Sequence, residues 1–254
     1  MRVTFNGSSF TVYSQAGDDW KRCKDYVRDR LGSGYVAVTA STPEDDRRKT
    51  EFALNIWHSA VSIVGSPAAA YLSSRGVPYQ SEALRWHPFC PFGNGVKVGC
   101  LVALVRNIIT DEPQAIHRTA IDWSGRKLSE LDGNGRKALG SVKGGAIKLF
   151  SAVDSLGIGE GIETTLSIRQ LPGLDTLPVW SVLNAAGVAA FPALPGVRSA
   201  FVAIDNDRSG TGEKAASALL QTLTASGTKL QSIRTQKVGT DLNDLIMEMA
   251  GRNV

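Results

Sequence analysis

Acidic side chains with the spacing of a metal site lie in the last part of the 254-residue chain. Asp205 and Asp207 are separated by one residue, Asn206. In an extended chain both would face the same way, with Cα atoms about 6–7 Å apart at a rise of about 3.3 Å per residue. Like charges packed so closely raise each other's pKa unless a cation lies between them. A hard divalent ion with oxygen ligands, Mg²⁺ or Mn²⁺, would remove this repulsion.

Alternating apolar runs after Val153 predict the elements that must position these carboxylates. Strands are predicted at 153–158, 178–183, 200–204 and 229–234, and helices at 162–171, 213–226 and 242–250. This alternation indicates a parallel sheet with helical crossovers, in which ligands bind beyond the carboxyl ends of the strands. Glu160 follows the first strand, and Asp205 and Asp207 follow the third. We therefore expect these three carboxylates at one edge of the sheet.

Two further acidic residues lie near the same predicted edge. Glu163 is one helical turn beyond Glu160, and Asp241 lies between the fourth strand and the last helix. Asp241 is a metal-ligand candidate, but it could equally be the N-cap of that helix, because an aspartate side chain accepts hydrogen bonds from the first turn.

A basic, glycine-rich segment precedes the α/β region. Residues 113–150 contain three acidic side chains, six glycines and seven basic residues, namely Arg118, Arg126, Lys127, Arg136, Lys137, Lys143 and Lys148. Glycine lets the backbone approach a phosphate closely and cations neutralise it, so contact with phosphate or nucleic acid is predicted here. A solvated basic sheet edge, on which lysines discourage aggregation, is the alternative.

The charge of the whole chain follows the same division. Residues 1–150 carry 20 basic and 14 acidic side chains, whereas residues 151–254 carry 8 and 10, and the net charge is +4. A basic half joined to a mildly acidic half suggests one surface for a polyanion and another that gathers carboxylates. Ordinary variation of surface charge is the alternative interpretation.

Composition excludes several classes of protein. With 43% hydrophobic and 20% charged residues, the chain resembles a globular protein rather than a disordered or fibrous one. It has no apolar run near the roughly 20 residues that cross a bilayer, and its start does not resemble an export signal. The three cysteines, Cys23, Cys90 and Cys100, are scattered and form no CxxC pair. We therefore expect a reduced, cytoplasmic protein without zinc or membrane contact.

Three segments are predicted from these patterns. Residues 1–85 are expected to be mainly helical, with helices at 20–31, from the Ser41/Thr42 cap to about Ile63, and at 68–75. Residues 86–150 are expected to form the basic β-rich segment, and residues 151–254 the metal-binding domain.

The acidic motifs together resemble the Toprim domain of bacterial-type DNA primases, topoisomerases and some nucleases. The resemblance rests on EGIETTLS at 160–167, DNDRSG at 205–210 and DLND at 241–244. Weaker similarity at 70–77, 116–119 and 139–149 extends to the Toprim primases and primase-helicases of phages and plasmids. It implies a Toprim-type α/β fold, a parallel sheet flanked by helices, preceded by a smaller α+β basic subdomain.

The resemblance also implies roles for individual residues. Glu160 would be a metal ligand or general acid/base, and Asp205 and Asp207 metal ligands, all three of them catalytic. Glu163 stands where the family usually has Asp, and Asp241 matches the acidic residue of the third motif, so both are further candidate metal ligands. The candidates for binding nucleic acid or NTP are Arg118, Arg136, Lys137, Lys143, Lys148 and Arg208.

The function implied is that of a DNA primase catalytic core, which synthesises short RNA primers on single-stranded DNA from NTPs with Mg²⁺ or Mn²⁺. A Toprim nuclease and a non-catalytic nucleic-acid-binding protein are the alternatives. The chain contains neither a zinc ribbon nor a Walker A loop. We therefore expect a separate replicative helicase or template-recognition subunit as partner, in a bacterial or phage-infected cell.

Overall fold

The computed structural model describes residues 2–6, 9–13, 19–31, 42–79, 81–206 and 209–251. The chain divides into two compact units, Met1–Asp45 and Asp46–Val254. In the first unit, β1 (Arg2–Asn6) and β2 (Ser9–Tyr13) pair antiparallel, and α1 spans Trp20–Leu31. The helix has the predicted bounds, whereas the hairpin lies in a region that was expected to be mainly helical.

The second unit contains a mixed sheet that has ten strands within the described residues. Its earlier elements are α2 (Pro43–Ser59), β3 (Val61–Ser62), α3 (Pro67–Ser74), β4 (Leu84–Gly93), β5 (Val96–Asn107), β6 (Pro113–Ala120), β7 (Arg136–Gly140) and β8 (Gly145–Lys148). Its later elements are β9 (Ser155–Gly159), α4 (Ile162–Ser167), β10 (Val179–Ser181), α5 (Ala185–Ala189), β11 (Ser199–Ile204), α6 (Thr211–Ala225), β12 (Lys229–Arg234) and α7 (Leu242–Met249).

The strand order is β12-β11-β9-β10-β8-β5-β4-β3, and β6 joins β5 to β7. β12, β11, β9 and β10 run parallel to one another, which confirms the α/β fold with a helix-flanked parallel sheet. β8 pairs antiparallel with both β10 and β5. The basic β segment therefore continues the parallel sheet, and the domain boundaries predicted after residues 85 and 150 stay predictions.

Capping residues fix the starts of the helices near the sheet. The Thr42 hydroxyl accepts a hydrogen bond from the Asp45 amide at 3.1 Å, one residue before Pro43 begins α2. At α3, the Ser66 hydroxyl accepts from the Ala69 amide. Both helices thus begin where a hydroxyl satisfies an amide of the first turn.

Side chains that alternate along β5 cover both faces of the sheet. Leu101, Ala103 and Val105 lie in one buried cluster, together with residues of α3 and α4. Val102 and Leu104 lie in a second cluster, together with residues of α2. A strand covered on both faces buries every side chain, which explains the continuous apolar run at 101–105.

Within the described ranges, no helix combines the length and the apolar character that a bilayer crossing requires.

Candidate active site

A pocket of about 180 Å³ lies at the carboxyl ends of the parallel strands. Glu160 directly follows β9 and Asp205 directly follows β11. Glu163, in the first turn of α4, and Asp241, at the start of α7, also line this pocket. The structure thus brings together four acidic residues that are up to 81 positions apart in the sequence.

Glycines let the elements around the pocket approach one another closely. A Cβ atom on Gly159 would lie 2.5 Å from the Thr165 hydroxyl oxygen, so only glycine lets the end of β9 pack this closely on α4. A Cβ atom on Gly212 would lie 2.6 Å from the Asp205 carbonyl oxygen. The backbone that presents Asp205 is therefore held directly against the first turn of α6.

The end of β9 is also tied to the end of β10. The Glu160 carbonyl accepts hydrogen bonds from the Ser181 hydroxyl at 2.6 Å and from the Leu183 amide at 2.9 Å. Ser181 and Leu183 themselves line the pocket. These bonds fix the backbone position of Glu160 relative to the neighbouring strand.

Glu163 forms a buried ion pair within the pocket wall. Its side chain is 4% exposed, and Oε1 accepts hydrogen bonds from the Tyr71 hydroxyl and, at 2.9 Å, from Arg136. Burial by itself would raise the pKa of Glu163, but the charge of Arg136 and these hydrogen bonds bring it down to about 2. Burial and the adjacent Glu163 carboxylate raise the pKa of Tyr71. Glu163 is thus ionised with its charge balanced by Arg136, and its role as a metal ligand stays a prediction.

Asp241 caps α7. Its Oδ1 accepts from the Asp244 amide at 2.9 Å, and the Asp244 side chain accepts from the Asp241 amide, which completes a capping box. Its Oδ2 accepts from the Thr164 hydroxyl at 2.9 Å. Both oxygens of Asp241 have protein partners, so the capping interpretation left open by the sequence describes what this side chain does here.

His117 and Tyr71 are site residues that sequence reasoning missed. His117 lines the pocket, and burial lowers its pKa to about 4, partly opposed by the Glu163 charge. Its Nδ1 is buried and has no hydrogen-bond partner among the residues that the structure describes. The weak similarity to Toprim primases at residues 116–119 includes His117 and could have marked it as a site residue. Nothing local in the sequence marks Tyr71 as the partner of Glu163.

Among the predicted basic residues that the structure describes, Arg136 lines the pocket with the carboxylates. Arg118, by contrast, is 5% exposed. Its guanidinium donates to the carbonyls of Pro91 and Ala138 and lies 5.6 Å from the centre of the Phe92 ring. These contacts hold Arg118 within the sheet, and its contact with nucleic acid or NTP stays a prediction.

The remaining predicted lysines lie away from the pocket. Lys137 is 2.8 Å from the Asp132 carboxylate, and Lys148 is 2.8 Å from that of Asp111. Lys143 is exposed in the loop before β8. The structure does not gather these three side chains at the carboxylates, and their contact with nucleic acid stays a prediction.

Two predicted site residues, Asp207 and Arg208, lie outside the described residues. Within the part of the chain that is described, no three His, Cys, Asp or Glu side chains form a set that could hold a metal ion. Glu160 and Asp205 nevertheless both line the pocket. Mg²⁺ in phosphate-transferring sites is often held by one or two carboxylates, with waters and substrate phosphates as its other ligands. The chemistry of this pair therefore fits such an ion.

Comparison with protein-family models finds two domains. Residues 155–252 match the Toprim domain, and residues 47–149 match a domain of unknown function, DUF7146. The chain therefore contains a Toprim domain at residues 155–252, as the motif resemblance implied.

Comparison with individual proteins gives a structural similarity. A search of curated proteins found no significant match. The crystal structure of the primase fragment of the bacteriophage T7 primase-helicase protein aligns with 72% of this chain at 17% sequence identity and a TM-score of 0.45. The chain spans 66% of the length of that fragment.

Proposed function

We propose that the chain is the catalytic core of a DNA primase, which makes short RNA primers from NTPs on a single-stranded DNA template. The observation that carries this proposal is the pocket itself. Acidic residues predicted from three Toprim motifs line it, and a cation from the preceding β segment, Arg136, lies in the same wall. Carboxylates beside a cation suit a reaction in which a metal ion and a polyphosphate meet.

Glu160 and Asp205 would hold Mg²⁺ or Mn²⁺, with Asp207 as the predicted third ligand. When bound, such an ion stabilises the attacking 3′-hydroxyl oxygen and the pyrophosphate leaving group. Arg136 is 38% exposed although it pairs with Glu163. Its guanidinium therefore has surface left for a phosphate of the incoming nucleotide, while Glu163 and Tyr71 hold it in place.

Primer synthesis on single-stranded DNA with labelled NTPs and Mg²⁺ or Mn²⁺ tests the proposal. We expect labelled oligoribonucleotides from the wild-type chain and a loss of about 100-fold or more in Glu160→Gln and Asp205→Asn. Asp154→Asn is the matched control, because Asp154 is exposed, pairs with Arg198 and does not line the pocket. This control is expected to keep wild-type activity.

The same assay separates the alternatives. If the wild-type chain shortens the DNA, and both variants lose this cleavage, the protein is a Toprim nuclease instead. A strand that is bound but unchanged would identify a non-catalytic nucleic-acid-binding protein. If synthesis needs an added replicative helicase or template-recognition subunit, that requirement identifies the expected partner.

A further inference from the structure

A second cavity, a cleft of about 1010 Å³, is not used by the proposed reaction. Its walls come from α2, β3, β4, β5 and β8, and from the loops before β4 and after β8. All of these elements lie in the second compact unit except the first residues of α2, which do not line the cleft.

Strand register places two residues of this cleft, Leu104 and Lys148, on the opposite face of the sheet from the carboxylate pocket. His117 lines the carboxylate pocket and pairs with Ala103, whereas the next residue of β5, Leu104, lines the cleft. On β8, Ile147 lines the carboxylate pocket and Lys148 lines the cleft. Since successive side chains of a strand face opposite sides, Leu104 and Lys148 enter the cleft from the face opposite to that of His117 and Ile147, whereas Leu84, the partner of Ala103, lines it from the same face as His117.

Three cations reach the cleft from neighbouring strands. Arg85 lies in β4, Arg106 in β5 and Lys148 in β8, and β5 pairs with both other strands. Glu82 is the acidic residue of the lining. Val102, the partner of Arg85, lies four residues before Arg106, so the arginines are spread over about 13 Å of strand. This spacing suits several phosphates better than one.

Neighbouring groups hold each cation in place. Arg85 donates to the Trp57 carbonyl at 3.0 Å and lies 4.4 Å from the centre of the Trp57 ring. Arg106 and Lys148 both contact the Asp111 carboxylate, at 3.3 and 2.8 Å. One carboxylate that is 59% exposed thus serves two cations, so positive charge remains for an anionic ligand.

We propose that this cleft binds the phosphate groups of a nucleotide, either free or within a single strand. Arg85 and Arg106 offer guanidinium groups, whose paired donors match phosphate oxygens, and Lys148 adds a third charge. Leu104 and Leu149 give the cleft an apolar wall for a base or sugar. Its volume lies at the upper end of the roughly 300–1,000 Å³ range of small-ligand sites. The site does not depend on primer synthesis.

The first test measures weakened binding in the full chain. Fluorescence anisotropy is recorded with a short fluorescein-labelled oligodeoxythymidylate and, separately, with a fluorescent ATP analogue, both in EDTA so that no metal site contributes. We expect the double variant Arg85→Gln/Arg106→Gln to weaken binding by about tenfold or more, because it removes two charge-assisted contacts with phosphate. For the strand, the salt dependence should fall by about 0.7 in log–log slope for each phosphate that the variant no longer neutralises.

The second test measures gain of binding. Asp111→Asn removes the carboxylate that competes for Arg106 and Lys148, so binding should tighten by about threefold or more. Asp111 has a φ of +62°, a left-handed conformation that asparagine tolerates, so this variant keeps the loop geometry. If the double arginine variant fails to fold, Asp111→Asn still tests whether the cleft binds phosphate. Loss of a purely structural contact of Asp111 would not tighten binding.

The exposed pair Arg198 and Asp154 supplies controls with the same charge changes away from the cleft. Arg198→Gln and Asp154→Asn should leave both affinities within about twofold of wild type, as is usual for distant surface charges. Tighter binding of the labelled strand or of the ATP analogue then identifies whether the phosphate belongs to a single strand or to a free nucleotide.

The proposal is overturned if neither probe binds, if Asp111→Asn does not tighten binding, or if the control variants change the affinities equally. Because these measurements do not involve synthesis, failure of primer synthesis would leave the outcome intact.

Discussion

At the scale of single residues, Glu160 and Glu163 show how two carboxylates one turn apart acquire different roles. Glu163 is buried against Tyr71 and Arg136, and its charge is balanced within the protein. Glu160 is only partly buried and lines the pocket from the end of a strand. Glu163 therefore stabilises the fold around the pocket, whereas Glu160 lines the pocket in which the chemistry is proposed.

Neutralising these two residues should separate stability from activity. We expect Glu163→Gln to lower the free energy of unfolding by about 3 kcal/mol, because it leaves the Arg136 cation beside a buried amide. Glu160→Gln should cost less than about 1 kcal/mol. Urea denaturation at pH 7 measures both values. Equal denaturation midpoints for Glu163→Gln and the wild-type chain would contradict a buried ion pair.

The half-buried His117, whose Nδ1 atom is buried, predicts a pH dependence of stability. Its pKa is about 4 in the folded chain, below its ordinary value of 6.5, so the unfolded chain holds more protons between these values. Stability should be complete above about pH 6.5 and fall as the pH drops towards 4, by up to about 3 kcal/mol. Urea titrations across this range should show that His117→Gln loses the slope, whereas the exposed control His58→Gln keeps it.

Glu163 acts in a lower pH range with the same sign. Its folded pKa of about 2 lies below its ordinary value of 4.5. The stability that it contributes is therefore present above about pH 4.5 and is lost as the pH falls through 2. The two residues can thus be distinguished by the pH at which stability declines.

At the scale of elements, the pocket depends on where strands end and helices begin. Glu160 and Asp205 follow β9 and β11, and α4, α6 and α7 begin close to these ends. The caps and glycines at these junctions decide the direction in which each carboxylate is presented. Asp241 is such a cap, bonded to α7 and, through Thr164, to α4.

Two substitutions at Asp241 should distinguish a cap from a metal ligand. Asparagine is as good an N-cap as aspartate, so Asp241→Asn should keep stability within about 1 kcal/mol. Asp241→Ala should lose about 2 kcal/mol, because the cap and the bond from Thr164 both disappear. If Asp241→Asn kept its stability but lost all metal-dependent activity, the residue would be a ligand after all. Thermal denaturation and the primer assay together decide between these roles.

At the scale of the whole second unit, one sheet joins the two matched domains. β8 pairs with β5 on one side and with β10 on the other. One buried cluster contains Leu84 and Leu101 from the first part and Ile162 and Leu166 from the Toprim part. The position of Arg136 beside Glu163 is a consequence of this shared core.

Hydrogen exchange should show that Asp46–Val254 opens as one cooperative unit. We expect backbone amides of the inner strands β5 and β11 to exchange with similar free energies, because a common sheet and core link them. Mass spectrometry of peptides from each strand measures these values. Protection of β11 that persists after β4, β5 and β6 have opened would show that the two parts are stable independently.

The sequence predicted most elements of the Toprim part because hydrophobic periodicity records which face each residue takes. β12 has the predicted bounds, and the elements from β9 to α7 follow the predicted order except for the short helix α5, which was not predicted. Glu160 and Asp205 follow strands as expected. The motifs could also be recognised in the sequence, because the residues of each motif lie close together along the chain at the end of one strand.

Contacts between residues distant in sequence were decided only by the tertiary structure. Tyr71 and Glu163 are 92 positions apart, and the burial of His117 depends on elements that pack over it. The continuity of the sheet through β8, and the face on which residues such as Lys148 lie, depend on strand pairing. Pairing is set by the packing of side chains from different segments, which no periodicity within one segment records. The sequence therefore determined which residues could do chemistry, and the fold decided which of them meet.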